Sequence, residues 1–269
     1  MNLKRYLCKP GANISLKNWN PDDKSAVPDS REQAEAELKA LSDHLDHLQD
    51  LFYAEHDRKL LIVLQGMDTS GKDGTIRHVF QSVDPLGVRV VSFKAPTTEE
   101  LDHDYLWRVH RQVPGKGEIV IFNRSHYEDV LIVRVHESIT AKTCQQRYQQ
   151  INDFERMLAE TGTIIVKFFL YISKDEQKKR LEERLQDPDK RWKFRVGDLG
   201  ERARWKDYMK AYEDALTATN TAWAPWHIVP ANSKTNRNLL ILAILIDVLE
   251  SLKLRYPAPS EDLRDIVVE

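Results

Sequence analysis

Apolar positions along this chain of 269 residues recur in two rhythms. Between Arg31 and Glu55, Leu38, Leu41, Leu45, Leu48 and Phe52 are spaced by threes and fours, which places them on one face of an amphipathic helix. From Lys59 onward the rhythm changes to short unbroken apolar runs: KLLIVLQ (59–65), VRVVSFK (88–94), EIVIFN (118–123), IIVKFFLYIS (164–173) and WHIVPA (226–231). Runs without polar alternation mark strands covered on both faces, as in a parallel sheet. Helical stretches fill the intervals, at about 73–83, 98–113, 140–161, 174–187, 200–219 and 236–252. The alternation predicts an α/β fold, a three-layer, doubly wound, five-stranded parallel sheet with ligands at the carboxyl ends of its strands.

Residues 1–30 are rich in Pro, Asn, Asp and Lys without periodicity and read as an extended arm on the surface, leaving 31–269 as a single domain. The most apolar segment, Leu239–Leu249, is about half the length of a membrane-spanning helix and includes Asp247, so a buried helix or a subunit contact is expected. Hydrophobic residues at 41% and charged residues at 30% place the chain among ordinary globular proteins. A formal charge of −2 means that any polyanion site must arise from local clustering. Cys8 and Cys144 have neither disulfide-framework nor zinc spacing, and the N-terminus MNLKRYLCKPGANISLKNW lacks the apolar core of a signal peptide, so the expected compartment is the reducing cytoplasm.

The chemistry concentrates after the first strand, in GMDTSGKDGT (66–75). This is nearly the phosphate-loop pattern G-x-x-x-x-G-K-[ST], placed between a strand and a helix as that motif requires. Gly66, Gly71 and Gly74 let backbone amides turn toward an anion, the helix start adds its dipole, and Lys72 supplies a point charge for a transferring phosphoryl group. Asp73 stands where a magnesium-binding hydroxyl is usual, although Thr75 could still offer one. Two carboxylates in a phosphate cradle repel phosphate unless a cation lies between, which suits Asp68 to recruiting magnesium. Asp73 reads equally well as a first-turn helix residue favoured by the dipole.

A second cluster follows the third strand: Asn123, Arg124, Ser125, His126, Tyr127, Glu128 and Asp129. Asn123 occupies the strand-end position of a metal-orienting aspartate, so Glu128 or Asp129 must make up the charge if magnesium binds. Arg124 can bridge phosphates, or it can simply pair with Glu128 or Asp129. A third cluster runs from Arg180 and Arg184 through DPDKRWKFRVGDL, with Lys190, Arg191, Lys193 and Arg195 interleaved with Trp192 and Phe194. Asp187, Pro188 and Asp189 break the preceding helix, which makes this stretch a candidate lid over phosphates at about 187–199, or else a solvated loop. Basic and aromatic residues in alternation also suit nucleic acid, but no recognised nucleic-acid module accompanies them. Lys94 and Arg108 are further candidates, His110 reads as a structural histidine, and no nucleophile triad or transition-metal spacing is present.

Together, DLFYAE, GMDTSGKDGTIRHVF, SFKAPTTEELDHDYLWRVH, FNRSHYEDVLIVRV, ISKDEQKKRLEERL, KRWKFRVGDL and APWHIVPAN resemble the polyphosphate kinase 2 family over nearly the whole chain. FNRSHYEDV is similar to the subgroup, often called class III, that accepts both AMP and ADP. The resemblance implies a thymidylate-kinase-like P-loop kinase fold with a helical lid, Mg2+, and reversible transfer of the terminal phosphoryl group of inorganic polyphosphate to AMP and ADP, giving ADP and ATP. It implies catalytic roles for Asp68, Lys72, Arg124, Glu128 and Asp129, with Asp68 and Asp129 at the metal. Phosphate contacts are implied for Gly66, Ser70, Gly71, Lys72, Asp73, Gly74, Thr75, Lys94, Arg180, Arg184, Lys190, Arg191 and Lys193. Nucleotide contacts are implied for Arg108, Asn123, Arg124, Glu128 and Arg134. Asn123 departs from the aspartate of other subgroups, which puts a simple two-aspartate metal site in doubt and bears on the choice of acceptor. Family members usually form dimers or tetramers, so the implied partners are polyphosphate, nucleotides and further copies of the chain, without nucleic acid or membrane. The alternatives are an ATP-dependent nucleoside monophosphate kinase on the same fold and a non-catalytic polyphosphate-binding P-loop protein.

Overall fold

The computed structural model describes residues 2–259 together with Glu261 and Asp262. Five strands, β1 (Lys59–Gln65), β2 (Val88–Ser92), β3 (Ile119–Asn123), β4 (Thr163–Tyr171) and β5 (Trp226–Pro230), form one sheet in the order β2-β3-β1-β4-β5. Every neighbouring pair is parallel. Six longer helices accompany them: α1 (Arg31–Glu55), α2 (Lys72–Val79), α3 (Ala141–Glu160), α4 (Lys174–Gln186), α5 (Trp205–Thr219) and α6 (Lys234–Ser251).

Two cores explain why the strands read as unbroken apolar runs. Leu61, Val63, Val120, Phe122, Ile165 and Phe169 face α3 and α5. The alternate residues Leu60, Ile62, Leu64, Ile121, Val166 and Phe168 face α1 and α6. Each strand is thus covered on both sides, and β1 lies at the centre between β3 and β4. Its carboxyl end, where the phosphate-loop motif begins, opens where the strand order reverses, the ligand position of such sheets.

Several elements differ from those the sequence predicts. The helix expected at 98–113 is two turns, Thr98–Leu101 and Trp107–His110, because the Asp104 carboxylate accepts from the amides of Leu106 and Trp107 and starts the chain afresh. The helix expected at 200–219 breaks at Arg204 into Gly197–Ala203 and α5. The stretch read as a surface arm buries Tyr6, Cys8, Ile14, Leu16 and Ala26. It also adds a short antiparallel bridge to β5, with the Cys8 amide donating to Trp226 O (2.9 Å) and the Ile228 amide to Tyr6 O (2.9 Å). Aperiodic sequence therefore conceals a segment sewn to the sheet edge. Helix α6 is buried within the chain from Asn236 to Leu242 and again at Ile244, Leu245, Ile246 and Leu249, so its apolar character is spent on the core rather than on a subunit contact. No helix among the described residues is long and apolar enough to cross a membrane.

Candidate active site

The backbone builds the phosphate loop first. Gly66 leaves β1 with φ +151°, and a Cβ there would meet the carbonyl of Leu170 at 2.7 Å, so only glycine passes between the strand ends. Thr69 and Arg124 take positive φ values of 65° and 63°, a costly conformation for non-glycine residues that recurs where a loop must aim side chains. The turn closes with the Ser70 amide donating to Met67 O (3.0 Å), and α2 begins at Lys72. The amides of Gly71, Lys72, Asp73 and Gly74 find no acceptor among the described residues. They form an array of donors at a helix start, suited to phosphate oxygens.

Around this array the structure gathers the charged groups. Arg124 donates to Asp68 Oδ1 at 2.9 Å, so its partner is the loop aspartate rather than Glu128 or Asp129. Asn123 donates to Asp73 Oδ1 at 2.7 Å and ties the end of β3 to the first turn of α2. Lys72 is buried and donates to Gly66 O (2.7 Å) and Met67 O (3.3 Å). Burial, and then the charge of Arg124, depress its ammonium to about 8 against the opposing carboxylates of Asp68, Glu128 and Asp73. The Glu128 carboxyl is raised by burial, which outweighs the attraction of Arg124 and Lys72. With its amide set to satisfy both ends, Gln65 donates to Glu128 Oε1 (3.1 Å) and accepts from the Ser125 amide (3.2 Å). Burial alone would lower Arg124, but Glu128 and Asp68 hold it above its ordinary value.

Other expected residues lie elsewhere. Asp129, expected at the metal, turns toward Arg108 and Arg147, each 3.8 Å away. Its buried Oδ2 accepts no hydrogen bond, and its ion-pair neighbours lie on that side, so Glu128 is the acidic neighbour of the loop. Arg108 is itself buried, donates to Lys94 O (2.9 Å) and lies 3.5 Å from Glu100, which makes it a brace rather than an open nucleotide ligand. The side chain of Lys94 is exposed. Arg134 is held by Asp214 (2.6 Å) and bonds to the Tyr148 hydroxyl (3.1 Å). Arg180 does not line an anion path. All five of its N–H groups are engaged, with Glu176, Thr69 O, Ser70 O, Ala231 O and Asn232 O, so none is left for phosphate.

The candidate lid comprises a helical turn, Arg191–Lys193, and the helix Gly197–Ala203. Arg184 donates to Lys193 O (3.3 Å) and lies 3.7 Å from Asp198. Lys190 pairs with Asp187, and Arg191 donates to Leu185 O at 2.9 Å. Trp192 is 76% exposed under the Lys193 ammonium. Burial, and then the charge of the loop residue Asp68, raise the Asp198 carboxyl of the lid helix. Arg202 extends this link, bonding to Gln177 Oε1 (3.1 Å), whose amide in turn donates to Asp68 O (3.2 Å).

Three contributors escaped the sequence reading. Lys167 lies in the middle of β4 with no exposure and donates to Glu155 (2.6 Å), the Tyr127 hydroxyl (2.8 Å) and Thr219 O (2.8 Å). Glu155 also receives Tyr127 (2.8 Å) and contacts His126 (3.2 Å), so one buried network anchors the turn that carries Glu128. A lysine inside an apolar strand run was the available signal. The third is Arg237, whose signal was a cation in the first turns of a helix, where the dipole disfavours it.

The chain as a whole has close counterparts. The sequence profile of the polyphosphate kinase 2 family matches residues 28–257. An AMP/ADP-polyphosphate phosphotransferase of Meiothermus ruber is 54% identical over 267 residues, covering 99% of this chain and 100% of that protein. An ADP-polyphosphate phosphotransferase of Rhodopseudomonas palustris is 42% identical, covering 96% of this chain and 93% of its own. The crystal structure of polyphosphate kinase 2 from Arthrobacter aurescens superimposes with a TM-score of 0.90 at 45% identity, covering 95% of this chain and 94% of that one. Sequence and architecture agree over essentially the whole described length, and the chain belongs to the polyphosphate kinase 2 family.

Proposed function

We propose that the protein transfers the terminal phosphoryl group of inorganic polyphosphate to AMP and to ADP, reversibly. The observation that carries this reading is the convergence of Lys72, Asp68 and Arg124 with four unbonded amides at the carboxyl end of β1. Full-length similarity to the M. ruber AMP/ADP-polyphosphate phosphotransferase supports the choice of donor and acceptors.

In the forward direction an oxygen of the acceptor's terminal phosphate forms a bond to the last phosphorus of the chain. In the same step the bridging P–O bond breaks, and its electron pair leaves with a polyphosphate one unit shorter. The protein contributes position and charge, with no covalent intermediate. The loop amides and Lys72 hold the transferring group, and Arg124, released from Asp68 by a competing phosphate, follows the charge as it moves. Glu128, raised by burial, sets an attractive charge against Lys72 and Arg124.

The donor set fits magnesium that arrives with phosphate. Among the described residues no group of three or more acidic, histidine or cysteine side chains could form a closed metal site, whereas magnesium usually takes one or two carboxylates and completes its shell with phosphate and water. Asp68, 27% exposed at the loop crest, would hold it, with the Asn123–Asp73 pair alongside. When bound, it would neutralise phosphate charge and align the reacting oxygens.

The test supplies AMP and magnesium with either long-chain polyphosphate or ATP as sole donor and follows nucleotides by chromatography. ADP and then ATP should accumulate with polyphosphate. ADP formed only from ATP would assign the lid to a nucleotide donor instead.

A further inference from the structure

Arg237 is 2% exposed, yet no carboxylate lies within ion-pair distance of it among the described residues. Of the other buried cations nearby, Arg180 pairs with Glu176 at 2.7 Å and Lys167 with Glu155 at 2.6 Å, while Lys72 feels the carboxylates of Asp68, Glu128 and Asp73. Arg237 instead donates from Nε and Nη2 to Asn238 Oδ1 (3.1 and 2.9 Å) and from Nη1 to Ser70 O (3.5 Å). An uncompensated buried charge is expensive, and its persistence calls for a use.

Its position supplies one. The Ser70 carbonyl receives Arg237 and also Arg180 Nη1 (3.1 Å), both from behind the phosphate loop. In a planar trans peptide the carbonyl and the following amide point opposite ways. Drawing Ser70 O backward therefore turns the Gly71 N–H forward, into the array of unbonded amides. Gly71 is the residue that makes this approach feasible. A Cβ there would lie 1.9 Å from Arg237 Nη1, and the residue sits at φ +103°. Burial, and then the charge of Arg180, lower the guanidinium to about 9, which leaves it charged at neutral pH.

We infer that Arg237 is a positioning residue of the phosphate loop, which aims the Gly71 amide through Ser70 and lends an unpaired positive charge to the affinity of the site for polyphosphate. This rests on the phosphate-transfer reading above.

Asn238→Asp tests it most cleanly, because it places a carboxylate against the guanidinium and cancels the charge while keeping the arginine. The expected result is a KM for polyphosphate raised about tenfold, with a shallower salt dependence and a melting temperature equal to or above that of the wild type. Arg237→Lys keeps the charge but loses the fork, so KM should stay within about threefold while kcat falls about tenfold. Wild-type KM and salt dependence in Asn238→Asp would remove the charge contribution, and wild-type kcat in Arg237→Lys would remove the aiming of Gly71; the two together would leave Arg237 a purely structural residue. Calorimetric binding of tripolyphosphate to the same proteins separates the two claims. If the wild type binds it but shows no transfer to AMP or ADP, the proposed activity fails, whereas equal affinity in wild type and Asn238→Asp would sink the charge contribution of Arg237 alone.

Discussion

The phosphate loop and the lid draw on the same residue types, lysine and arginine, in opposite physical states. Around the loop, Lys72, Arg180 and Arg237 are buried, and each donates to backbone carbonyls of the loop itself. In the lid, Lys190 and Arg191 are exposed and hold only to residues within or next to the lid. Buried cations have already lost their hydration and their freedom, so they can stabilise a transition state without reorganising. Exposed cations keep both and can follow a flexible polyanion, at the cost of screening by salt. The difference suggests a division of labour: the loop sets the rate of transfer, and the lid sets the affinity for the chain.

The largest effects should come from the loop. Lys72→Ala and Asp68→Ala should each lower kcat by about a thousandfold or more, with circular dichroism unchanged. An active Asp68→Ala protein would remove that residue from the metal. Next in size is the buried network beneath the loop. Glu155→Gln leaves Lys167 charged without its partner in a fully buried site and should cost about 3–5 kcal/mol in chemical denaturation. Unchanged stability would mean that Lys167 is neutral in the fold.

A smaller effect should follow pH. Because the Lys72 ammonium titrates near 8 in the free protein, its charge is lost as pH rises through that value. Bound phosphate favours the charged form, so binding takes up a proton and KM for polyphosphate should rise severalfold above about pH 8, with kcat at saturation changing less. A flat KM from pH 7 to 9 would contradict the burial of Lys72. The smallest effect belongs to the lid taken singly: Lys190→Ala should raise KM by about twofold at low salt and by less at high salt, since its ammonium is solvated and paired with Asp187.

The contrast between the two regions also governs what was legible in the sequence. Apolar runs announced all five strands because burial on both faces leaves no polar alternation to confuse the period. The loop was legible because glycine, lysine and the strand-to-helix context are dictated locally. Asp129 and Arg180 were misplaced for a different reason. Glu128 and Asp129 are adjacent in sequence, but the turn His126–Val130 sends them to different neighbours, one toward Lys72 and Arg124 and the other toward Arg108 and Arg147. Arg180 and Arg184 share a helix face, yet the former meets the loop carbonyls and the latter the lid. Such partners come from four separate segments, and spacing along one segment carries no record of them.

The most direct test of the division between loop and lid is a set of polyphosphate saturation curves for the variant Lys190→Ala, Arg191→Ala, Lys193→Ala, recorded with AMP at low and at physiological salt. The predicted result is a KM raised about tenfold or more at low salt, converging toward the wild type as salt rises, with kcat within about twofold of the wild type. A kcat that collapses as it should in Lys72→Ala, or a KM unchanged at both salt concentrations, would contradict it.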